Sequence, residues 1–164
     1  MNDLPVGIRH FFLEAGWLPG AQPRFTSELG ADDHPAWSVL AEFNGLKVGQ
    51  TGAGEECATS DVVFQELSGQ DSTIDLWSRL LDSHLVRVAE FHHSHGELLI
   101  DQTGRCFAWS LIDDNFCFAG ATFAEAMESL LLGRRLRPML RPDQQEMSVY
   151  GESIRTGDPR IFVY

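Results

Sequence analysis

Four short apolar stretches in the middle of the chain constrain its fold more than any other feature. They occupy residues 86–91, 97–100, 105–111 and 115–120, and the separators between them are HHSHG, DQTG and IDDN. The stretches are rich in β-branched and aromatic residues, which favour strands, whereas the separators contain turn-forming residues. Separators this short fit hairpins between antiparallel strands, so the sequence predicts a meander.

Helical patterns lie on both sides of the meander. Apolar residues at helical spacing, with start and stop signals, predict four helices. They run from about Pro5 to Ala15, from Pro35 to Asn44-Gly45, from Ser72 to Leu81, and from Thr122 to Gly133. A linker rich in Pro and Gly, residues 16–35, joins the first two and indicates turns rather than a domain boundary. We expect a single α+β domain, with a mainly antiparallel sheet of about four to six strands flanked by about four helices.

Two details of the helix starts can be predicted. Thr122 and Glu125 form a T-x-x-E capping box, and Ser72 with Asp75 three residues later resembles an N-cap arrangement.

A glycine-rich stretch, residues 49–54, precedes Glu55 and Glu56. It resembles a phosphate-binding loop, but no Lys-Ser or Lys-Thr follows it and the two glutamates would repel phosphate, so we exclude a P-loop. The pattern instead predicts a strand, a hairpin or mobile loop, and a second strand at residues 62–64.

The net charge of the 164-residue chain is −12, and its distribution is uneven. Residues 1–133 carry 6 basic and 20 acidic groups, whereas residues 134–164 carry 6 basic and 4 acidic groups. This balance argues against nucleic-acid binding, which needs clustered Lys and Arg. An acidic body would attract a basic protein partner and speed its association, although solubility alone is an equally good interpretation.

We therefore divide the chain into a domain of residues 1–133 and a basic C-terminal extension of residues 134–164. The arginines of RRLRPMLRP are expected to fold onto the acidic body, because they follow a helix C-terminus where cations are favoured. Prolines in that segment block helix continuation, and the closing RIFVY is interpreted as an edge strand.

No stretch reaches the roughly 18 apolar residues of a membrane helix, and the N-terminus lacks a basic, apolar leader, so we expect a cytoplasmic protein without membrane association. Three cysteines without a C-x-x-C pair indicate neither a disulfide framework nor a zinc ribbon. Cys106 and Cys117 lie in predicted strands and are expected to be buried thiols.

The separator HHSHG contains three of the six histidines: His92, His93 and His95. Two could bind a metal from one loop, but zinc needs three or four ligands, so His84, Glu90 or Glu97 would have to complete the site. We favour an exposed hairpin loop. Its functional interpretation is a pH-sensitive contact with a partner. No motif for a nucleophile or a catalytic metal is present, so we expect no enzymatic activity and no cofactor.

Two further features have structural interpretations. Asp101 and Gly104 indicate a tight turn, in which Asp bonds nearby backbone N–H groups and Gly takes a positive φ. The four tryptophans are expected in the core, and Trp17, in GWLPG, is the one expected to be partly exposed.

The segments EAGW, AEFNGLKV, VAEF, LLIDQTGRCFAW and FAEAMESLLLG occur in this order between about Ala15 and Gly133. Their order and spacing resemble the SUKH-3 immunity proteins of the SUKH superfamily, which is related to the Smi1/Knr4 domain of yeast. Gly16 and Trp17 match the family's Gly-Trp after the first helix. Asn44 stands where the family usually has Gly, and Ala89 replaces Gly in its V-G-E segment.

The resemblance implies a bacterial immunity protein with no chemistry of its own, which binds a cognate polymorphic or contact-delivered toxin domain and blocks it. Nuclease and deaminase toxins are common partners in this superfamily, and a basic toxin would suit the acidic body. Seven residues are candidates for the contact surface: Glu55, Glu56, Asp113, Asp114, Trp17, His93 and His95.

Two alternatives stay open. A regulatory protein-binding module of the Smi1/Knr4 type would share the fold and bind a cellular partner. A small metal-binding protein would use the loop of His92, His93 and His95. The sequence does not specify the oligomeric state.

Overall fold

A computed structural model describes residues 3–23 and 33–164 of the chain. Within these residues the helices are α1 (Val6–Glu14), α2 (Pro35–Phe43), α3 (Ser72–Leu80) and α4 (Phe123–Leu132). All four lie where the helical patterns predict them, and the middle of the predicted linker, residues 24–32, lies outside the described residues. Among the helices of the described residues, none combines the length and apolar character needed to cross a membrane.

Eleven strands form within the same residues. They are β1 (Lys47–Val48), β2 (Gly52–Ala53), β3 (Ala58–Thr59), β4 (Val62–Phe64), β5 (Val86–Phe91), β6 (Gly96–Ile100), β7 (Cys106–Ser110), β8 (Phe116–Gly120), β9 (Arg137–Met139), β10 (Glu146–Val149) and β11 (Glu152–Arg155). The main sheet has seven strands in the order β1-β4-β5-β6-β7-β8-β9, and every pair is antiparallel. β2–β3 and β10–β11 are separate hairpins. The predicted α+β class is confirmed.

The main sheet has one strand more than the predicted range because β9 lies in the C-terminal extension. α4 already ends at its C-cap Gly133, five residues before Pro138, and the proline does not prevent strand pairing. β9 is the edge strand beside β8, and Pro138 is paired with Cys117. Proline is tolerated on an edge because its missing N–H can face away from the ladder.

The central strands are buried on both faces, since all five residues of β6 are buried. One face packs against α1, α2 and α4, where the rings of Phe12, Phe43, Phe64 and Phe123 form a cluster. The other face packs against α3, whose Trp77 stacks on Phe116 with ring centroids 4.4 Å apart.

The end of the chain completes the cover of this second face. Phe162 stacks on Phe118 with ring centroids 4.0 Å apart, and Tyr164 meets Trp77 edge-on at 5.4 Å. The prediction of an edge strand at RIFVY is wrong, because residues 160–164 form no strand. The apolar run of residues 161–164 instead packs two aromatic rings against the second face of the sheet, with Phe162 half-buried and Tyr164 40% exposed.

The turn between β6 and β7 is built on Asp101, as predicted. Its buried carboxylate accepts hydrogen bonds from the backbone N–H groups of Thr103 and Arg105, both at 2.9 Å, and it pairs with the Arg105 guanidinium at 2.7 Å. Gly104 has φ +89°. Burial alone would raise the pKa of Asp101, but the hydrogen bonds from Thr103 and Arg105 hold that pKa below its ordinary value.

Helix capping follows the sequence at α4 and departs from it at α3. Thr122 accepts a hydrogen bond from the Glu125 N–H at 3.2 Å, while the Glu125 carboxylate accepts one from the Ala121 N–H at 2.8 Å. The N-cap of α3 is Asp71 instead of the predicted Ser72, because the Asp71 carboxylate accepts the Thr73 N–H at 2.8 Å.

Cys106 and Cys117 are buried free thiols, as predicted. Burial raises the pKa of Cys117 to about 12, so this thiol stays protonated near neutral pH.

We predict that Phe162→Ala lowers the free energy of unfolding by about 1–3 kcal/mol, because it removes a stacked ring that is only half-buried. Val163→Ala is the control, since Val163 is 85% exposed and should change stability by no more than about 0.5 kcal/mol. Urea denaturation measures both. Equal midpoints for the two variants would show that the C-terminal segment does not stabilise the sheet.

We predict that Asp101→Asn destabilises the protein at pH 7 by about 1.5–3 kcal/mol, because charge-assisted hydrogen bonds are lost. Folding lowers the pKa of Asp101, so its contribution to stability is present above about pH 4 and is lost as the pH falls through the folded-state pKa. The difference between wild type and variant should therefore shrink below about pH 4 in urea denaturation. Asp113→Asn, at an exposed position, is the control and should change stability at pH 7 by no more than about 0.5 kcal/mol.

Candidate functional site

Six of the seven candidate residues lie at one end of the main sheet, which we name the histidine end. It consists of the β2–β3 hairpin (residues 52–59), the β5–β6 turn (92–95) and the β7–β8 turn (111–115). The loops are joined to one another: the Leu111 N–H donates to the His95 carbonyl at 2.9 Å, and Thr51 Oγ1 lies 3.0 Å from His93 Nε2. The fold thus brings together residues that are far apart in sequence.

The histidine cluster forms a tight turn, as predicted. His92, His93 and Ser94 all have positive φ angles, 53°, 57° and 62°. Non-glycine residues adopt this left-handed region at a cost, which the surrounding contacts must offset. Beneath the turn, Gly96 lies against the ring of Phe91, and a side chain at Gly96 would collide with that ring.

Asp61 fixes this turn from the neighbouring strand. Its buried carboxylate accepts the His93 N–H at 2.9 Å and lies 3.3 Å from the ammonium of Lys47, while its carbonyl accepts the His92 N–H at 3.0 Å. Burial alone would raise the pKa of Asp61, but the hydrogen bonds from His93 and Lys47 lower it below its ordinary value. The ionised carboxylate therefore stabilises the turn near neutral pH.

Of the three residues that could complete a metal site, Glu90 lies at the histidine turn, where its carboxylate accepts a hydrogen bond from the Ser94 hydroxyl at 2.6 Å, whereas His84 and Glu97 are engaged elsewhere. The ring of His84 lies 5.6 Å from that of His34, and the Glu97 carboxylate lies 3.5 Å from Arg87. Within residues 3–23 and 33–164, no group of three or more His, Cys, Asp and Glu side chains is placed to hold a metal ion.

The β2–β3 hairpin caps the C-terminus of α4. The N–H of Glu55 donates to the Leu132 carbonyl at 2.8 Å, and those of Glu56 and Cys57 donate to the Gly133 carbonyl at 2.8 and 2.9 Å. Carbonyls at a helix C-terminus lack partners within the helix, so this hairpin satisfies them with its own backbone. The glycine-rich stretch therefore leads into a hairpin that caps a helix, in agreement with the exclusion of a P-loop.

This capping requires two glycines in close contact. A Cβ on Gly54 would lie 2.6 Å from the Cα of Gly133, and a Cβ on Gly133 would collide with the Cys57 carbonyl oxygen. Gly133 also has φ +69°, the left-handed conformation common just after a helix.

The acidic side chains of this hairpin are paired with the C-terminal extension. Glu55 lies 2.7 Å from Arg134, and the Glu56 carboxylate accepts the Arg135 N–H at 2.8 Å. The hydrogen bond from Arg134 lowers the pKa of Glu55. Arg134 thus folds onto the acidic body here and offsets the charge of Glu55, whereas the hydrogen bond to Glu56 comes from a backbone N–H and offsets no charge.

The β7–β8 turn carries the other predicted carboxylates. Asp114 accepts the Trp109 indole N–H at 2.9 Å and lies 3.5 Å from Arg141. Asp113 is exposed, and within the described part of the chain no cation pairs with its carboxylate. Beside it, Leu111 and Ile112 are 44% and 67% exposed. The sequence patterns do not single out these two residues, because Leu111 fits the end of a strand and Ile112 a turn position.

A groove opens between the loops of the histidine end and the β10–β11 hairpin. Two adjoining cavities of about 300 and 310 Å³ share Phe91, Leu136 and Tyr150 in their walls. Tyr150 lies between β10 and β11, and its hydroxyl accepts the Leu136 N–H at 2.9 Å. The sequence patterns do not indicate this groove, because about a third of its lining residues come from the extension that the motifs do not cover.

Trp17 is the candidate that lies elsewhere. The prediction of its partial exposure is wrong, since it is only 3% exposed and packs against Phe12 and Phe43. The backbone N–H of Trp17 donates to the Phe12 carbonyl at 2.9 Å, which turns the chain back at the end of α1 and directs the indole into the core. Almost none of its surface is left for a partner.

Comparison with known proteins gives one match. A family model described as SUKH-3 immunity protein matches residues 4–133, most of the chain. No curated protein and no solved structure matches significantly. The match ends at Gly133, the residue on which the β2–β3 hairpin closes.

We predict that Gly133→Ala lowers the free energy of unfolding by at least about 1 kcal/mol, because it adds a Cβ at a positive φ angle and against Cys57. Gly7→Ala is the matched control: Gly7 lies in α1 with no atom within 4 Å of the added Cβ, so stability should rise by about 0.5–1 kcal/mol. Thermal and urea denaturation measure both changes. A Gly133→Ala variant as stable as wild type would contradict the close packing of the hairpin on α4.

Proposed function

Because the chain belongs to the SUKH-3 immunity protein family, we propose that it neutralises a cognate protein toxin by covering the toxin's active groove with the histidine end. The family membership confirms the resemblance drawn from the sequence motifs and supports an immunity role. The observation that carries the proposal is the position of the candidate residues, since six of the seven lie on adjoining loops at one end of the sheet. Loops held by a rigid scaffold are a common place for binding residues.

The shape of the histidine end supports a protein partner. Its groove is lined by apolar and aromatic side chains, among them Phe91, Leu136 and Tyr150, and its rim carries polar and charged loops. An apolar centre with a polar rim is the usual composition of a protein–protein interface. Aromatic residues in such a centre frequently dominate the binding energy.

Charge supports a basic toxin. The chain has a net charge of −12, and Asp113 at the histidine end has a carboxylate that no cation in the described residues pairs with. A toxin that acts on nucleic acid needs a positively charged groove, because its substrate carries a phosphate at every nucleotide. We infer a nuclease or a nucleobase deaminase, which the immunity protein blocks by occupying that groove in the cytoplasm.

Co-expression tests the proposed function. Cells that express the toxin domain encoded beside this gene should survive when they also make this protein, and should die when they make an unrelated SUKH-3 protein at the same level. Survival is counted as colonies. Equal killing in both cultures, with this protein present and folded, would contradict the immunity role for that pair. Binding to a cellular protein without protection would favour the regulatory module.

We predict that association with the toxin is faster at low ionic strength. Opposite charges steer the encounter, and salt screens exposed charges over about 10 Å at 0.1 M. Stopped-flow measurement of the association rate should show a decrease of roughly tenfold or more between low and high salt. A rate independent of salt would contradict the basic character of the partner.

A further inference from the structure

We propose that Leu111, Ile112 and Asp113, which we name the β7–β8 tip, form a preshaped wedge that enters an apolar cleft with a basic rim on the toxin. This inference rests on the proposed immunity function and names the part of the histidine end that carries the binding energy. It also specifies the chemistry of the partner: aliphatic side chains at the floor of the cleft, and Arg or Lys beside them.

Exposure is the first observation. Ile112 is 67% exposed and Leu111 is 44% exposed, and neither belongs to the two buried apolar clusters of the described residues. Single exposed apolar residues are common on protein surfaces. Here two branched aliphatic side chains are adjacent in sequence and project from one turn, a position from which they can enter a concave surface.

Rigidity is the second observation, because the tip is braced on several sides. The Ser110 N–H donates to the Asn115 carbonyl at 2.8 Å, and the Leu111 N–H donates to the His95 carbonyl at 2.9 Å. The Asn115 amide donates to the Ser148 carbonyl at 2.6 Å, which ties the turn to β10. A loop held in one conformation loses less entropy on binding, so more of its contact energy appears as affinity.

Charge is the third observation. Asp114 is bound to Trp109 and Arg141 and stabilises the turn itself. Asp113 has no such role, and its exposed carboxylate lies directly beside Ile112. A carboxylate next to exposed aliphatic side chains is complementary to a cleft with an apolar floor and a cationic rim. The active groove of a nucleic-acid-directed toxin has such a rim.

The test measures the affinity of purified variants for the toxin domain encoded beside this gene. Ile112→Ala should raise the Kd by roughly tenfold or more, mainly through faster dissociation. The matched control is Val6→Ala, a similar truncation of a side chain that is 91% exposed on α1, and its Kd should stay within about twofold of wild type. Melting temperatures of both variants should equal that of wild type, because neither side chain belongs to a buried cluster.

Asp113→Asn tests the charged part of the proposal. It should slow association several-fold at low salt and leave the rate at high salt nearly unchanged, because it removes a steering charge without changing the shape of the tip. The rate should become less dependent on salt than that of wild type.

The outcomes separate this inference from the proposed function. If wild type binds the toxin and protects cells while Ile112→Ala binds within about twofold of wild type, the wedge is overturned and the immunity role stands. If wild type neither binds nor protects, both are overturned. Loss of affinity by Val6→Ala equal to that by Ile112→Ala would also overturn the wedge, since the effect would not be specific to the tip.

Discussion

Burial of the central strands on both faces is the constraint on which the rest of the structure depends. A sheet whose middle strands are apolar on both sides is stable only when each side is covered. The helices α1, α2 and α4 cover one face, and α3 covers part of the other, where the last residues of the chain complete the cover. The C-terminal extension, although outside the family match, therefore contributes a strand to the main sheet and packs two aromatic side chains against its second face.

The histidine end is the part of the sheet where the helical covers stop. Its loops are fixed by backbone hydrogen bonds and by Asp61, so they can present side chains to a partner without contributing to the core. The ion pair of Glu55 with Arg134 reduces the charge at the β2–β3 hairpin, whereas Asp113 keeps its charge at the β7–β8 turn. In these loops the backbone groups and Asp61 stabilise the fold, while exposed side chains are available to a partner.

Local chemistry could be predicted from the sequence, and long-range contacts could not. The Asp101 turn, the α4 capping box and the hairpins depend on residues a few positions apart, so their sequence patterns predict them. The burial of Trp17 and the pairing of Glu55 with Arg134, 79 positions away, depend on tertiary structure. RIFVY is a short apolar run of the kind that forms strands, yet its rings pack on α3 and β8, and this packing depends on the assembled fold.

The bracing of the β7–β8 turn has a consequence for how such a protein can change. Backbone groups and the side chains of Asp114 and Asn115 hold the turn, and the three outward residues of the tip are not required for that purpose. Substitutions at these three positions can therefore accumulate without loss of folding, and each alters the surface offered to a partner. Through such substitutions an evolving protein can come to bind a different partner while its fold is unchanged.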